Sequence, residues 1–379
     1  MDTKHIKELI IGGIKAKVPI VQGGMGVGIS LSSLASAVAN EGGIGVIATA
    51  GIGWLEPDFF SNYLDANIRA LKKEIRKARE MTKGILGVNI MVALSNFVDM
   101  VKTAVEEKID IIFSGAGLPL NLPELLKGNK WTKLVPIVSS GRAANIICRK
   151  WSERYHRLPD AIVVEGPKAG GHLGFKPENI DDPEYSLENL VPEVFKEIKR
   201  YEEKHEQTIP VIPAGGIYTG KDIHDFFQLG AAGVQMGTRF VTTHECDSSE
   251  ELKRAYIDSK KEDIVIIKSP VGLPGRAIRN KFIDDVNNGK RKPFNCPFHC
   301  IKTCDYENSP YCINHALVNA QKGNIKSGFA FAGVNAYRLK KIVSVKELVG
   351  SLLKVIKNYS RKDSKIASVS YTHLRAHET

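Results

Sequence analysis

Short runs of apolar, β-branched residues recur along the first two-thirds of the chain, each followed by a longer stretch with helical spacing. Val18–Gln22 comes first, then Ile44–Ala48, Leu86–Met91, Ile109–Ser114, Leu134–Ser139, Ala161–Glu165, Pro210–Ala214 and Gly233–Phe240. Several are apolar at consecutive positions, the pattern of a strand covered on both faces. Between them, Leu31–Asn40, Pro57–Thr82, Asn96–Glu107, Leu122–Lys127, Ala143–Arg154, Leu187–His205 and Gly220–Leu229 predict helices. The alternation predicts βα units around a parallel sheet. Eight such units in about 240 residues predict a TIM (β/α)8 barrel. A doubly wound open sheet is the competing architecture, and its phosphate-binding glycines belong at the first βα turn. Gln22-Gly-Gly-Met-Gly-Val-Gly28 lies there, yet Gly24, Gly26 and Gly28 do not complete G-x-G-x-x-G. The later glycine motifs favour the barrel.

Beyond Phe240 the alternation stops. Asp247–Asp258 reads as a helix, and Asp263–Gly275 as a strand and turn. A cysteine-rich segment, Lys292–Ile313, the run Gly328–Tyr337 and an amphipathic helix, Val345–Asn358, follow. This region is too small for a large core of its own and is expected to cap the barrel mouth. The expected division is a barrel over 1–245, a cap with its closing helix over 246–358, and a tail over 359–379. The last residues, Ser368–Thr379, resemble translated adaptor sequence and are set aside, with His373 and His377.

Composition narrows the class. Of 379 residues, 43% are hydrophobic and 25% charged, as in ordinary globular proteins. The net charge of +11 is spread over helical segments such as Arg69–Lys83, without interleaved aromatics, so nucleic acid is not the expected partner. No apolar run spans a bilayer, and Met1–Leu9 lacks the apolar stretch of a signal peptide; a cytoplasmic protein is expected.

Polar residues and glycines mark the C-terminal ends of the predicted strands: Gln22–Met25, Asn89, Ser114-Gly115, Ser139–Gly141, Glu165–His172, Gly215-Gly216 and Gln235–Thr238. In a barrel those ends converge on one face, where active sites form. Glu165-Gly-Pro-Lys-Ala-Gly-Gly-His172 is the richest. Adjacent glycines permit close backbone approach, and a histidine there exchanges protons near neutral pH, so His172 is the candidate catalytic residue. Lys168 reads either as a charge for an anionic partner or as a solvent-facing loop residue. The glycines after strands seven and eight suit a phosphate, aided by a helix starting near Thr219-Gly220 and by the Thr238 hydroxyl.

Taken in order, PIVQGGMG, Gly-Val-Asn89, EGPKAGGHLGF, PAGGI and GVQMGTRF resemble the nitronate monooxygenase family. That family takes in 2-nitropropane dioxygenase and is similar to the flavin-dependent enoyl-ACP reductase. The resemblance spans Val18–Phe240 and touches Gly328–Tyr337. It implies an FMN-bearing barrel that oxidises alkyl nitronates with dioxygen to a carbonyl compound and nitrite. The alternatives are reduction of an enoyl thioester with NAD(P)H, or flavin-free isomerase or synthase chemistry on a phosphate-binding barrel. Carried over by motif, Gln22, Gly23, Gly24, Met25 and Asn89 would meet the flavin ring. Glu165, Gly170 and Gly171 would form its wall; Gly215, Gly216, Gln235, Met236, Gly237 and Thr238 would hold the phosphate end. Glu165 stands where the family has glutamine, and an ionised carboxylate cannot donate a hydrogen bond. The expected partner is a small-molecule substrate, a nitronate or enoyl thioester; a homodimer stays open.

Cys296-x3-Cys300-x3-Cys304-x7-Cys312 lies outside the common pattern. Four thiols within 17 residues can close a zinc site or hold an iron–sulfur cluster, with His299 and His315 as substitute ligands, but the spacing matches neither the usual zinc-ribbon pairs nor the common ferredoxin run. Reduced cysteines that bind nothing are the competing reading.

Overall fold

The computed structural model describes residues 6–290, 296 and 298–375, the side chains of 362–375 excepted. The chain opens on a hairpin, β1 (Leu9–Ile11) and β2 (Ile14–Ala16), around Gly12-Gly13. Both glycines have positive φ, 51° and 90°, as a two-residue hairpin turn requires. Eight parallel strands then close a barrel: β3 (Ile20–Gln22), β4 (Ile44–Ala48), β5 (Ile85–Met91), β6 (Ile111–Gly115), β7 (Lys133–Val138), β8 (Ile162–Glu165), β10 (Val211–Ala214) and β11 (Val234–Met236). This is the α/β barrel that the alternation predicts, and it excludes the open sheet.

Its interior is filled by Val21, Val46, Ile111, Phe113, Val135, Val163 and Ile212. Leu9 and Ile11 of the hairpin join that cluster and are fully buried, plugging the end where the strands begin. Each such side chain contributes about 1.5–3 kcal/mol by leaving water. At Gly45 a Cβ would sit 1.8 Å from the Ala35 carbonyl oxygen, so helix Ser32–Asn40 lies directly on β4.

Several boundaries differ from the sequence reading. The eighth strand stops at Met236, and Thr238–Val241 is a helical turn rather than strand. The second helix is Tyr63–Met81, preceded by a 3-10 turn at Ile52–Leu55. The last helix runs Val345–Arg375, past the predicted end at Asn358 and into the segment set aside; His377 lies outside the described residues.

A second sheet stands over the barrel mouth. β12 (Ile264–Lys268) and β13 (Pro274–Ile278) pair antiparallel, and β13 takes on a two-residue strand, β9 (Gly171–His172). The register sets Gly275 opposite His172 and Arg276 opposite Gly171. The loop that leaves the sixth barrel strand is thereby stitched to chain about a hundred residues later.

Candidate active site

The strand ends open into a cavity of about 520 Å³. Gly23, Gly24, Met25, Asn89, Glu165, Gly170, Gly171, His172, Gly215, Gly216, Gln235, Met236, Gly237 and Thr238 all line it. Gln22 does not. It is fully buried in the barrel wall, where its Nε2 donates to the Gly23 carbonyl at 2.6 Å and its Oε1 accepts from Val46 N–H at 2.9 Å. Gln22 therefore fixes the Gly23-Gly24 turn from behind.

Close packing explains the glycines on this wall. A Cβ on Gly24 would lie 2.3 Å from that of Asn89, and one on Gly170 would lie 2.5 Å from the Ala332–Gly333 peptide. Gly171, at φ 85°, has nothing within 4 Å of a Cβ position, so its open side faces free space.

At one end of the cavity stand unpaired donors. The main-chain N–H groups of Gly216 and Gly237 find no acceptor among the described residues. Thr238 Oγ1 accepts from Gly333 N–H at 3.0 Å, which leaves its O–H to donate. Arg239 and Arg338 both stack on Tyr218, a lining residue, at 4.4 and 4.2 Å from the ring centre. This end suits an anion. The helix expected to assist does not. Gly220–Gln228 is closed by its own capping box, in which Asp222 accepts from Tyr218 and Thr219 N–H.

In the same cavity, burial shifts Glu165 and His172 in opposite senses. Glu165 is half-buried on the cavity wall, and no group among the described residues donates to its carboxyl; burial raises its pKa to about 7. His172 is desolvated as well, and burial lowers it to about 4. At neutral pH the imidazole is uncharged. Burial thus favours the neutral imidazole, while it lifts the Glu165 carboxyl toward pH 7. His172 Nε2 shares a 2.7 Å hydrogen bond with Ser269 Oγ, and its ring meets Phe331 edge-on at 4.9 Å. Lys168 is exposed and does not line the cavity.

The cap supplies what the motifs did not announce. Arg276 is buried, and its guanidinium donates to the Ala169 carbonyl at 2.8 Å and to that of Pro167. Asn335 Nδ2 donates to the Gly216 carbonyl at 2.6 Å, and Val334 N–H to that of Lys168 at 3.2 Å. The run Gly328–Tyr337 is thus a strap across the mouth. Ser269 and Arg276 sit in an ordinary strand-and-turn pattern and gave no signal of their own.

The nitronate monooxygenase family pattern matches residues 7–354, almost the whole chain. The chain belongs to the nitronate monooxygenase family. Members of this family are oxidoreductases, and so is this protein. A probable nitronate monooxygenase of Staphylococcus aureus strain Newman is 30% identical over 304 residues, covering 72% of this chain and 79% of that one. The structure of FabK from Thermotoga maritima superposes with a TM-score of 0.70 at 29% identity, covering 92% of this chain and 96% of that one. Nitroalkane oxidase from Streptomyces ansochromogenes shares the fold, at a TM-score of 0.68 and 20% identity over 91% and 97% of the two chains. The four clustered cysteines lie beside this cavity. All are free thiols, and among the described residues no three His, Cys, Asp or Glu side chains meet at one metal-ion position. No described helix is long and apolar enough to cross a membrane.

Proposed function

We propose that the cavity binds FMN and that the protein oxidises alkyl nitronates with dioxygen to a carbonyl compound and nitrite. The observation that carries this reading is the set of groups that line one cavity: the free N–H groups of Gly216 and Gly237 and the Thr238 hydroxyl, together with Glu165 and His172. A volume of about 520 Å³ falls in the range of cofactor sites, and Gly171 leaves open the space a side chain would fill. The residues fit the group. Gly215, Gly216, Gln235, Met236, Gly237 and Thr238 would hold its phosphate end, while Gly23, Gly24, Met25 and Asn89 would flank its ring with Glu165, Gly170 and Gly171. When bound, FMN supplies reversible one- and two-electron chemistry.

The chain's own groups do the rest. Burial keeps Glu165 largely protonated below pH 7, so its carboxyl can donate the hydrogen bond that the family's glutamine provides. Above pH 7 the same oxygens accept a proton. Neutral His172 has one nitrogen held by Ser269, and Nδ1 is left without a protein partner to orient substrate. The strap and cap sheet exclude water from the mouth.

The likeness to FabK supports a second reading, reduction of an enoyl thioester with NAD(P)H. Anaerobic mixing of FMN-loaded protein separates the two. Bleaching of the flavin absorbance by an alkyl nitronate, but not by NADPH, is expected. Rapid bleaching by NADPH would favour the reductase, and protein that stays colourless after FMN reconstitution would refute both.

A further inference from the structure

The cysteine segment plays no part in the function proposed above, yet it is firmly built. Ser95 N–H donates to the Cys300 carbonyl at 3.0 Å, Lys302 N–H to that of Ala93 at 2.9 Å, and Thr303 Oγ1 to that of Val271 at 3.0 Å. These bonds hold it between the loop after β5 and the β12–β13 turn. Cys296, Cys300, Cys304 and Cys312 line one small space together with His299 and Tyr306. Each thiol lies within electrostatic reach of the other three. His299 N–H points at Cys296 Sγ and His315 N–H at Cys312 Sγ, each at 3.4 Å. His299 holds a left-handed backbone, φ 43°, a strained conformation for a residue with a Cβ.

Four cysteine side chains and a histidine converge on this one space. We infer that these four cysteines bind an iron–sulfur cluster. Among the described residues the donors surround a space without meeting at one ion. That is the arrangement a cluster needs, because its thiolates are distributed over separate irons.

Position gives the site a use. Cys300 and Ile313 line both this space and the large cavity, so a cluster here touches the cavity wall. The cluster would take one electron from a one-electron donor, a reduced redox protein or dye. It would pass one electron to the occupant of the cavity, with no bond made or broken in the protein. This electron-passing role rests on the reading that the cavity holds a redox cofactor; cluster binding does not.

The test is to purify the full chain anaerobically and measure iron, acid-labile sulfide and FMN per chain separately. Electron paramagnetic resonance after dithionite reduction completes it. Equal iron and sulfide, about two or about four of each, with a reduced-cluster signal, is the expected result. Cys304→Ser and Cys312→Ser should lose both iron and sulfide while Cys148→Ala keeps them. Zinc without sulfide, or a metal-free chain with the cysteines in disulfides, overturns the inference. The wild-type measurement decides this even if a serine variant fails to fold. A cluster in a chain that takes up no FMN would refute the cavity reading and leave the cluster site standing.

Discussion

Replacing Glu165 by glutamine removes an ionisable group that the fold holds in its less favoured environment. Its carboxyl has an ordinary pKa of 4.5 and titrates near 7 in the folded barrel. Between those values the folded protein keeps a proton that the unfolded chain has released, so stability falls as pH rises through the window. At 1.36 kcal/mol per pH unit the loss is roughly 3 kcal/mol, complete by about pH 8. His172 acts in the opposite sense. Its pKa falls from 6.5 to about 4, so the unfolded chain binds the extra proton there and stability rises with pH by roughly as much. In the native protein the two largely cancel. Glu165→Gln should expose the histidine: stability then climbs between about pH 4 and pH 6.5, and the variant exceeds the native protein by up to roughly 3 kcal/mol at pH 8. Water entering the cavity reduces the size of this difference and leaves its sign. The assay is urea unfolding of FMN-free protein, variant against native, across that pH range. Subtraction removes other groups, such as Asp247, whose burial raises it to about 6. A variant-minus-native difference that stays flat with pH would refute the reasoning.

Two further outcomes test the site. His172→Gln should lower turnover by about 100-fold while leaving the FMN dissociation constant close to native, since the imidazole faces substrate in this reading; near-native rates would reduce His172 to a loop-positioning residue. Arg276→Lys keeps the charge but replaces the guanidinium that donates to the Ala169 and Pro167 carbonyls. Loosening the Gly170-Gly171 wall should weaken FMN binding by about 10-fold or more in a fluorescence titration, and unchanged affinity would show that the loop holds itself.

Much of the barrel was written locally. Runs such as Ile44–Ala48 and Ala161–Glu165 are apolar at every early position because both faces are covered, and glycines mark where backbones turn at the mouth. The hairpin at the barrel base also had a local signal, Gly12-Gly13 between Ile11 and Ile14, that the strand pattern alone did not reveal. The site was legible as a set of positions but not as orientations. Gln22 reads like its neighbours Gly23 and Gly24, and only the register of β3 against β4 turns it into the wall. His172 bonds Ser269, 97 residues away, through a sheet no local window contains.

The sequence by itself determined the alternation of strand and helix, the clustering of glycines at strand ends and the crowding of four cysteines into one segment. These depend on neighbours in the chain. The tertiary structure decided which groups carry charge. Glu165 and His172 have ordinary affinities for protons in isolation, and enclosure beneath the strap and cap sheet moves the acid up and the base down. Desolvation is a property of everything packed around a group, and its sources here lie far apart in the sequence.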